Sequence, residues 1–84
     1  MKNGLLYKSG LAPESAGVFK CSMYLDEYLV LENHNGILDL KGECIKIYVG
    51  KRVFAVFGEN LGIFELDGCV LKIKGKIFKT EYLT

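Results

Sequence analysis

The lysines in the C-terminal third of the sequence are the residues best suited, by type and spacing, to bind a charged partner. Lys72 and Lys74 alternate within a strand-like run and should share one face, to which a neighbouring strand could add Lys46. The candidate contact residues are Lys46, Lys72, Lys74, Lys76 and Lys79.

Two kinds of surface use lysines placed in this way. Basic strands of small barrels bind single-stranded nucleic acid when aromatic side chains interleave with them, and Phe78 and Tyr82 lie nearby in the sequence. Lysine on an edge strand also prevents edge-to-edge aggregation. The lysines alone favour a solvated edge over docking of a protein partner, and docking over nucleic acid.

Catalytic patterns are missing from the sequence. The serines lie outside any G-x-S-x-G context, and the only histidine, His34, lies between two asparagines at a predicted hairpin tip, where we expect a solvated side chain. The spacing Gly58-x-x-x-Gly62 lacks the lysine and the helix of a phosphate-binding loop, so we interpret it as a corner. We therefore predict no enzyme activity, no catalytic residues and no cofactor.

The number and spacing of the cysteines indicate the cellular compartment that we expect for the protein. Cys21, Cys44 and Cys69 are odd in number and widely spaced, which is typical of reduced thiols in a cytosol. A zinc site needs about four ligands and usually a short chelating pair, which this sequence lacks. The N-terminus shows no signal peptide, and no apolar run approaches the roughly 18 residues of a membrane span. We expect a cytoplasmic protein with no metal and no membrane span.

The length and composition of the chain limit the number of domains and the class of protein. The 84 residues are enough for one domain, half of them are hydrophobic, and the formal net charge is +1. Because positive and negative charges nearly balance, the composition gives neither the overall basic character of a nucleic-acid-binding protein nor the signature of an acidic tail. We divide the chain into a flexible N-terminal arm, residues 1–17, where glycine, serine and the only proline cluster, and an all-β domain, residues 18–84.

Turn signals recur every seven to nine residues after Val18. Asn35-Gly36 and Asp67-Gly68 predict type I′ hairpin turns, Gly50-Lys51 predicts a type II′ turn, and Gly75 predicts a bulge or a tight turn. Segment 53–57 is apolar on both faces and should form a central strand.

The segments between the turns alternate with period two, which predicts an all-β fold. We expect seven or eight short antiparallel strands in a meander that curls into a half-barrel or a small barrel. Their predicted ranges are 18–24, 28–33, 37–41, 44–49, 52–57, 62–66, 69–74 and 76–82.

A domain this small usually needs a disulfide, a metal or an oligomeric partner. The sequence also has more aromatic side chains than one small curled sheet can bury, so we predict a homodimer. The alternative is a closed monomeric barrel whose interior holds these side chains.

Several segments resemble one known family. The run Glu32-Asn33-His34-Asn35-Gly36 resembles the Glu-Asn-His-x-Gly hairpin of the YqfC branch of the YabP/YqfC sporulation family, and Gly58-Glu59-Asn60-Leu61 is similar to its G-x-x-L corner. Residues 70–77, with Tyr82-Leu83, resemble its closing strands. The similarity covers roughly residues 18–83.

The resemblance implies a biological process and transfers no catalytic residue. The family is associated with endospore formation and consists of small cytoplasmic proteins without an assigned enzymatic activity. We therefore expect a non-enzymatic β-sheet interaction module in endospore formation, with another sporulation protein as a partner beside the second copy predicted above. The alternative is a small barrel that binds nucleic acid or a ligand through a basic strand face.

Overall fold

Alternating side chains produce six antiparallel strands within residues 18–84, the part of the chain that the computed structural model describes. The strands are β1 (Lys20–Tyr24), β2 (Tyr28–Glu32), β3 (Ile37–Leu40), β4 (Cys44–Val49), β5 (Arg52–Asp67) and β6 (Val70–Tyr82). This part of the chain contains no helix, so the all-β prediction is confirmed. The predicted flexible arm, residues 1–17, lies outside the described residues.

The predicted strand number is wrong because two predicted corners do not end a strand. The predicted strands 52–57 and 62–66 are the two ends of β5, and 69–74 and 76–82 are the two ends of β6. Where they meet, Asn60 and Leu61 lie opposite the single residue Gly75, so the strand pair bends at a bulge and stays paired on both sides of it. The number of strands is therefore six.

The strands form one sheet in the order β1-β2-β6-β5-β4-β3. The predicted meander is wrong, because β2 pairs with β6 and not with β3. β6 has 13 residues, enough to hold β2 along its first half and β5 along its whole length. The sheet is not closed: β1 and β3 are its two edges, which excludes the closed barrel for the described residues.

The bend divides the sheet into two half-sheets. The first contains β1, β2, the start of β6 and the end of β5; the second contains β3, β4, the start of β5 and the end of β6. One hydrophobic cluster joins their inner faces. Its buried members are Leu29, Leu31, Ile45, Ile47, Phe54, Val56, Leu61, Leu71, Ile73 and Ile77.

The predicted central strand is confirmed. In β5, Phe54, Ala55 and Val56 are all buried, and Val53 and Phe57 beside them are half-buried. The segment is central in the sheet, with β4 paired on one side and β6 on the other, and consecutive residues, which point to opposite faces, are buried in it.

Two of the three predicted hairpin turns are wrong. Gly50-Lys51 joins the paired residues Val49 and Arg52 and has its positive φ of 63° at glycine, as a type II′ turn requires. The turn between β5 and β6 is Gly68-Cys69, one residue later than predicted, with the positive φ again at glycine.

Asn35-Gly36 does not form a hairpin. It belongs to the crossover from β2 to β3, which lie apart in the sheet, and only Gly36 has a positive φ, of 128°. A type I′ turn forms instead at Leu25-Asp26, with φ angles of 63° and 71° and a hydrogen bond from Glu27 N to Tyr24 O of 3.2 Å.

Candidate interaction surface

The five predicted contact lysines do not form one surface. Lys72 and Lys74 lie on the outer face of the first half-sheet, since Leu71 and Ile73, which alternate with them, are buried in the core. Lys46 and Lys79 belong to the second half-sheet, where they pair in register with Ala55 and Phe57. Lys76 lies just past Gly75, at the bend itself.

Nearby carboxylates neutralise two of these lysines. Lys72 Nζ lies 3.2 Å from Glu65 Oε1, and this hydrogen-bonded carboxylate raises the pKa of the Lys72 ammonium. Lys79 Nζ lies 2.8 Å from Glu81 Oε1 and 5.0 Å from the centre of the Phe57 ring. The strand lysines are therefore interleaved with acids and do not build a basic stripe.

Three aromatic side chains cross the outer face of the first half-sheet, and we call them the aromatic band: Tyr24, Tyr28 and Phe64. The ring centres of Tyr24 and Tyr28 are 5.1 Å apart, and those of Tyr28 and Phe64 are 5.2 Å apart. Tyr24 is 51% exposed and Phe64 is 43% exposed. Contiguous exposed aromatic area of this kind is typical of an interface.

The band depends on two features of the sheet. Tyr24 and Tyr28 face each other across the β1–β2 hairpin. Phe64 comes from β5, two strands away from Tyr28, and stands at the register shift between Ile63 and Glu65. Lys74 pairs in register with Tyr28, so it lies next to the band on the same face of the sheet.

A shallow cleft adjoins the band at the bend. It has a volume of about 480 Å³ and is lined by Asp26, Glu27, Lys74, Gly75 and Lys76. The hydrogen bonds Gly75 N to Glu27 O (3.1 Å) and Ile77 N to Asp26 O (2.8 Å) hold its two walls together. Two acids thus face two lysines at one end of the aromatic band, which suits a partner carrying both signs of charge.

His34 is buried, which contradicts the prediction of a solvated turn residue. It is 8% exposed, and its Nδ1 accepts a hydrogen bond of 3.0 Å from Gly36 N. Its Nε2 is buried and has no hydrogen-bond partner in residues 18–84. The ring therefore holds the crossover in place and presents no free nitrogen to solvent for proton transfer.

The other crossover residues tie the two half-sheets together. Asn33 Nδ2 donates to Val18 O (2.6 Å), and Asn33 N donates to Cys69 O (2.8 Å) in the first half-sheet. Asn35 Oδ1 accepts from Gly50 N (2.5 Å), and Asn35 N donates to Tyr48 O (2.8 Å) in the second. Asn33, His34 and Asn35, which are part of the family resemblance, therefore make hydrogen bonds that hold the crossover in place.

The three cysteines lie apart and form no disulfide with one another: Cys21 and Cys69 are exposed and Cys44 is half-buried. Cys21 lies opposite the buried Leu31, and partial burial raises the pKa of its thiol. Within residues 18–84, no three side chains of His, Cys, Asp or Glu come close enough together to hold a metal ion.

The aromatic band is the feature that sequence reasoning missed. Tyr24 and Tyr28 flank a predicted turn. A hairpin with a three-residue loop would have predicted that they pair. The contribution of Phe64 could not be predicted in this way, because it requires the pairing of β2 with β6 and the shift in β5.

Comparison with known proteins gives no relative: no protein family, no curated protein and no solved structure matches the chain. Among the described residues, no helix has the length and apolar character needed to cross a membrane.

Proposed function

We propose that this chain is a non-enzymatic, cytoplasmic β-sheet module that docks a protein partner through the aromatic band and acts in endospore formation. The process comes from the resemblance of residues 18–83 to the YabP/YqfC family. The mode of action comes from the band, the one observation that carries the proposal.

Three properties of the band suit protein docking. Tyrosine combines a large apolar ring with a polar hydroxyl, and it is enriched at interface centres. The rings contact one another, so a partner would cover a continuous apolar patch. Charged groups of both signs border it, including Lys74, Asp26 and Glu27 in the cleft and the Lys72–Glu65 pair on the sheet, as in the polar rim of an interface.

Complementation of a deletion strain tests both parts of the proposal. Deleting the gene in the organism that encodes it should lower the count of heat-resistant spores, and the wild-type gene should restore it. The double variant Tyr24→Ala/Phe64→Ala should fail to restore the count while the purified protein stays folded. The variant removes the two more exposed rings of the band, on either side of Tyr28, and with them much of the contact area.

The matched control is Tyr48→Ala/Phe78→Ala. These side chains are also exposed, at 39% and 57%, but lie outside the band. This variant should restore sporulation. An unchanged spore count after deletion would contradict the process, and full restoration by the band variant would contradict the docking surface.

Binding of single-stranded nucleic acid is the second candidate, favoured by the position of Lys74 beside the band. Bases stack on exposed aromatic rings and lysines contact phosphates. The Glu65 carboxylate on Lys72 and the acids of the cleft oppose it, because they repel phosphate. A labelled oligonucleotide should then bind at about 50 mM salt, lose most of its affinity by about 200 mM, and respond to Lys74→Glu. Absence of binding at the lower salt would exclude this candidate.

A further inference from the structure

We infer that two copies of this chain pair edge to edge through β1, antiparallel and around a two-fold axis at Ser22. This goes beyond docking through the aromatic band, because it uses the edge of the first half-sheet and a second copy of the chain. Either interaction can exist without the other.

The two edges of the sheet differ in how well they are protected. All five residues of β1 pair with β2 in one uninterrupted register, and the other side of β1 has no backbone partner among residues 18–84. β3 is shorter, with four residues, and its register shifts between Ile37 and Asp39. Regular, extended edges accept another strand, whereas short or bulged edges resist it. β1 is therefore the edge open to pairing.

The inner face of β1 also lacks cover. Met23 and Cys21 lie opposite Leu29 and Leu31, which are fully buried, yet Met23 is 46% exposed and Cys21 is exposed. The apolar inner face thus extends past the core onto β1. A second β1 strand would place Met23 of one copy against Cys21 of the other and continue that face.

The charges along β1 select a second copy in antiparallel orientation. Lys20 stands at the start of the strand and makes no ion pair within the described chain, while the acidic turn residues Asp26 and Glu27 follow its end. A two-fold axis at Ser22 brings Lys20 of each copy opposite Tyr24 and towards the acidic turn of the other. The β1–β2 hairpin of each copy therefore supplies both halves of a complementary pair, Lys20 from the strand and the acids from its turn.

Sedimentation equilibrium of the full chain at micromolar concentrations tests the pairing. The wild type should have twice the monomer mass of 9.4 kDa. Met23→Lys places a charge on the inner face of the edge and should raise the dissociation constant at least about tenfold. Leu40→Lys is the matched control, since Leu40 is 54% exposed on the other edge strand, and it should leave the dimer unchanged.

A cross-link tests the register independently of any destabilised variant. Ser22→Cys, in a chain with Cys21→Ser, Cys44→Ala and Cys69→Ser, should form an intermolecular disulfide under mild oxidation. Facing residues of antiparallel strands have Cα atoms about 4.5–5.5 Å apart, within disulfide range. Leu40→Cys in the same background should form no intermolecular disulfide, because Leu40 lies on the other edge of the sheet.

The outcomes separate this inference from the proposed function. A wild type that stays monomeric at every concentration would overturn the β1 pairing, as would a dimer that only Leu40→Lys dissociates. Neither result touches the spore count of the Tyr24→Ala/Phe64→Ala strain.

Discussion

Leu25 occupies a backbone conformation that its side chain disfavours. It has a φ of 63° in the Leu25-Asp26 turn and is 86% exposed, so no packing within residues 18–84 repays the strain. A left-handed conformation costs an ordinary residue roughly 1–2 kcal/mol. The β1–β2 hairpin forms in spite of this because β2 is also held by β6 on its other side.

Leu25→Asn should therefore stabilise the protein. Asparagine tolerates positive φ and is the preferred first residue of a type I′ turn, so we expect a gain of about 0.5–1 kcal/mol in the free energy of unfolding. Urea denaturation measures it. Leu38→Asn, at an exposed leucine of β3, is the control and should give no gain; equal effects would mean that backbone strain is not the cause.

At Gly36, unlike at Leu25, the residue present suits the positive φ of its position. Its φ is 128°, and an added Cβ would meet only Tyr48, at an ordinary 4.0 Å, so strain and not crowding sets the cost. Gly36→Val should destabilise the fold by about 1–3 kcal/mol. Gly42→Val, where nothing lies within 4 Å and φ is not positive, should cost less. Equal losses at the two sites in chemical denaturation would contradict this account of the crossover.

Cys21 is exposed, but the partial burial that raises the pKa of its thiol affects its reactivity. Its raised pKa lowers the thiolate fraction below that of a free thiol at any pH beneath the folded pKa. Cys21 should therefore be alkylated more slowly in the native chain than in denaturant, with a rate that keeps rising with pH beyond the ordinary thiol pKa. Mass spectrometry after timed alkylation measures this, and equal native and denatured rates would refute it.

The long β5–β6 hairpin explains how one sheet makes a core. At the bend the backbones come so close that only glycine fits: a Cβ at Gly58 would lie 2.0 Å from Lys76 O, and one at Gly75 would lie 2.6 Å from Asn60 O. Leu61 enters the core between them. The strands can therefore turn a corner without losing their pairing, and both half-sheets bury their inner faces.

Gly58→Ala should open this corner. The clash is with backbone, which cannot move aside as a flexible side chain would, so we expect a loss of more than about 3 kcal/mol or failure to fold. Gly62→Ala is the control, because nothing lies within 4 Å of a Cβ there and its φ is not positive. Thermal melts followed by circular dichroism compare the two, and similar melting temperatures would contradict the tight approach.

The two half-sheets are joined at one end by an aromatic cluster. The Phe54 ring lies 5.0 Å from Phe19, which precedes β1, and 5.1 Å from Tyr82 at the end of β6. Arg52 adds a guanidinium 3.6 Å from the Tyr82 ring centre. Residues from the start, middle and end of the described chain thus meet in one place.

Removing the centre of that cluster should destabilise the whole protein. Phe54 is buried, so Phe54→Ala should cost about 3–5 kcal/mol through lost burial and a cavity. Phe78→Ala, at a ring that is 57% exposed, should change the stability by less than about 0.5 kcal/mol. Equilibrium unfolding in urea distinguishes them; a comparable loss in both would mean that Phe54 is not part of the core.

Local pattern was sufficient for the positions of the strands. The predicted ranges for β1 to β4 agree with the structure to within two residues, because alternation and turn-forming residues act over a few neighbouring positions. The Gly50-Lys51 turn and the bulge at Gly75 follow from the same local chemistry. The sequence also placed the five lysines on or beside strands, but it did not predict which side chains surround them.

Partners distant in sequence decided the rest. Gly58 ends no strand because it pairs with Ile77, 19 positions later, and the acid on Lys72 is Glu65 from another strand. His34 is buried only because the crossover joins two half-sheets, and the aromatic band exists only because β6 brings β2 near β5. Alternation determines which residues face inward, whereas the order of strands depends on the free energy of packing the complete set of inward faces, which no local segment contains.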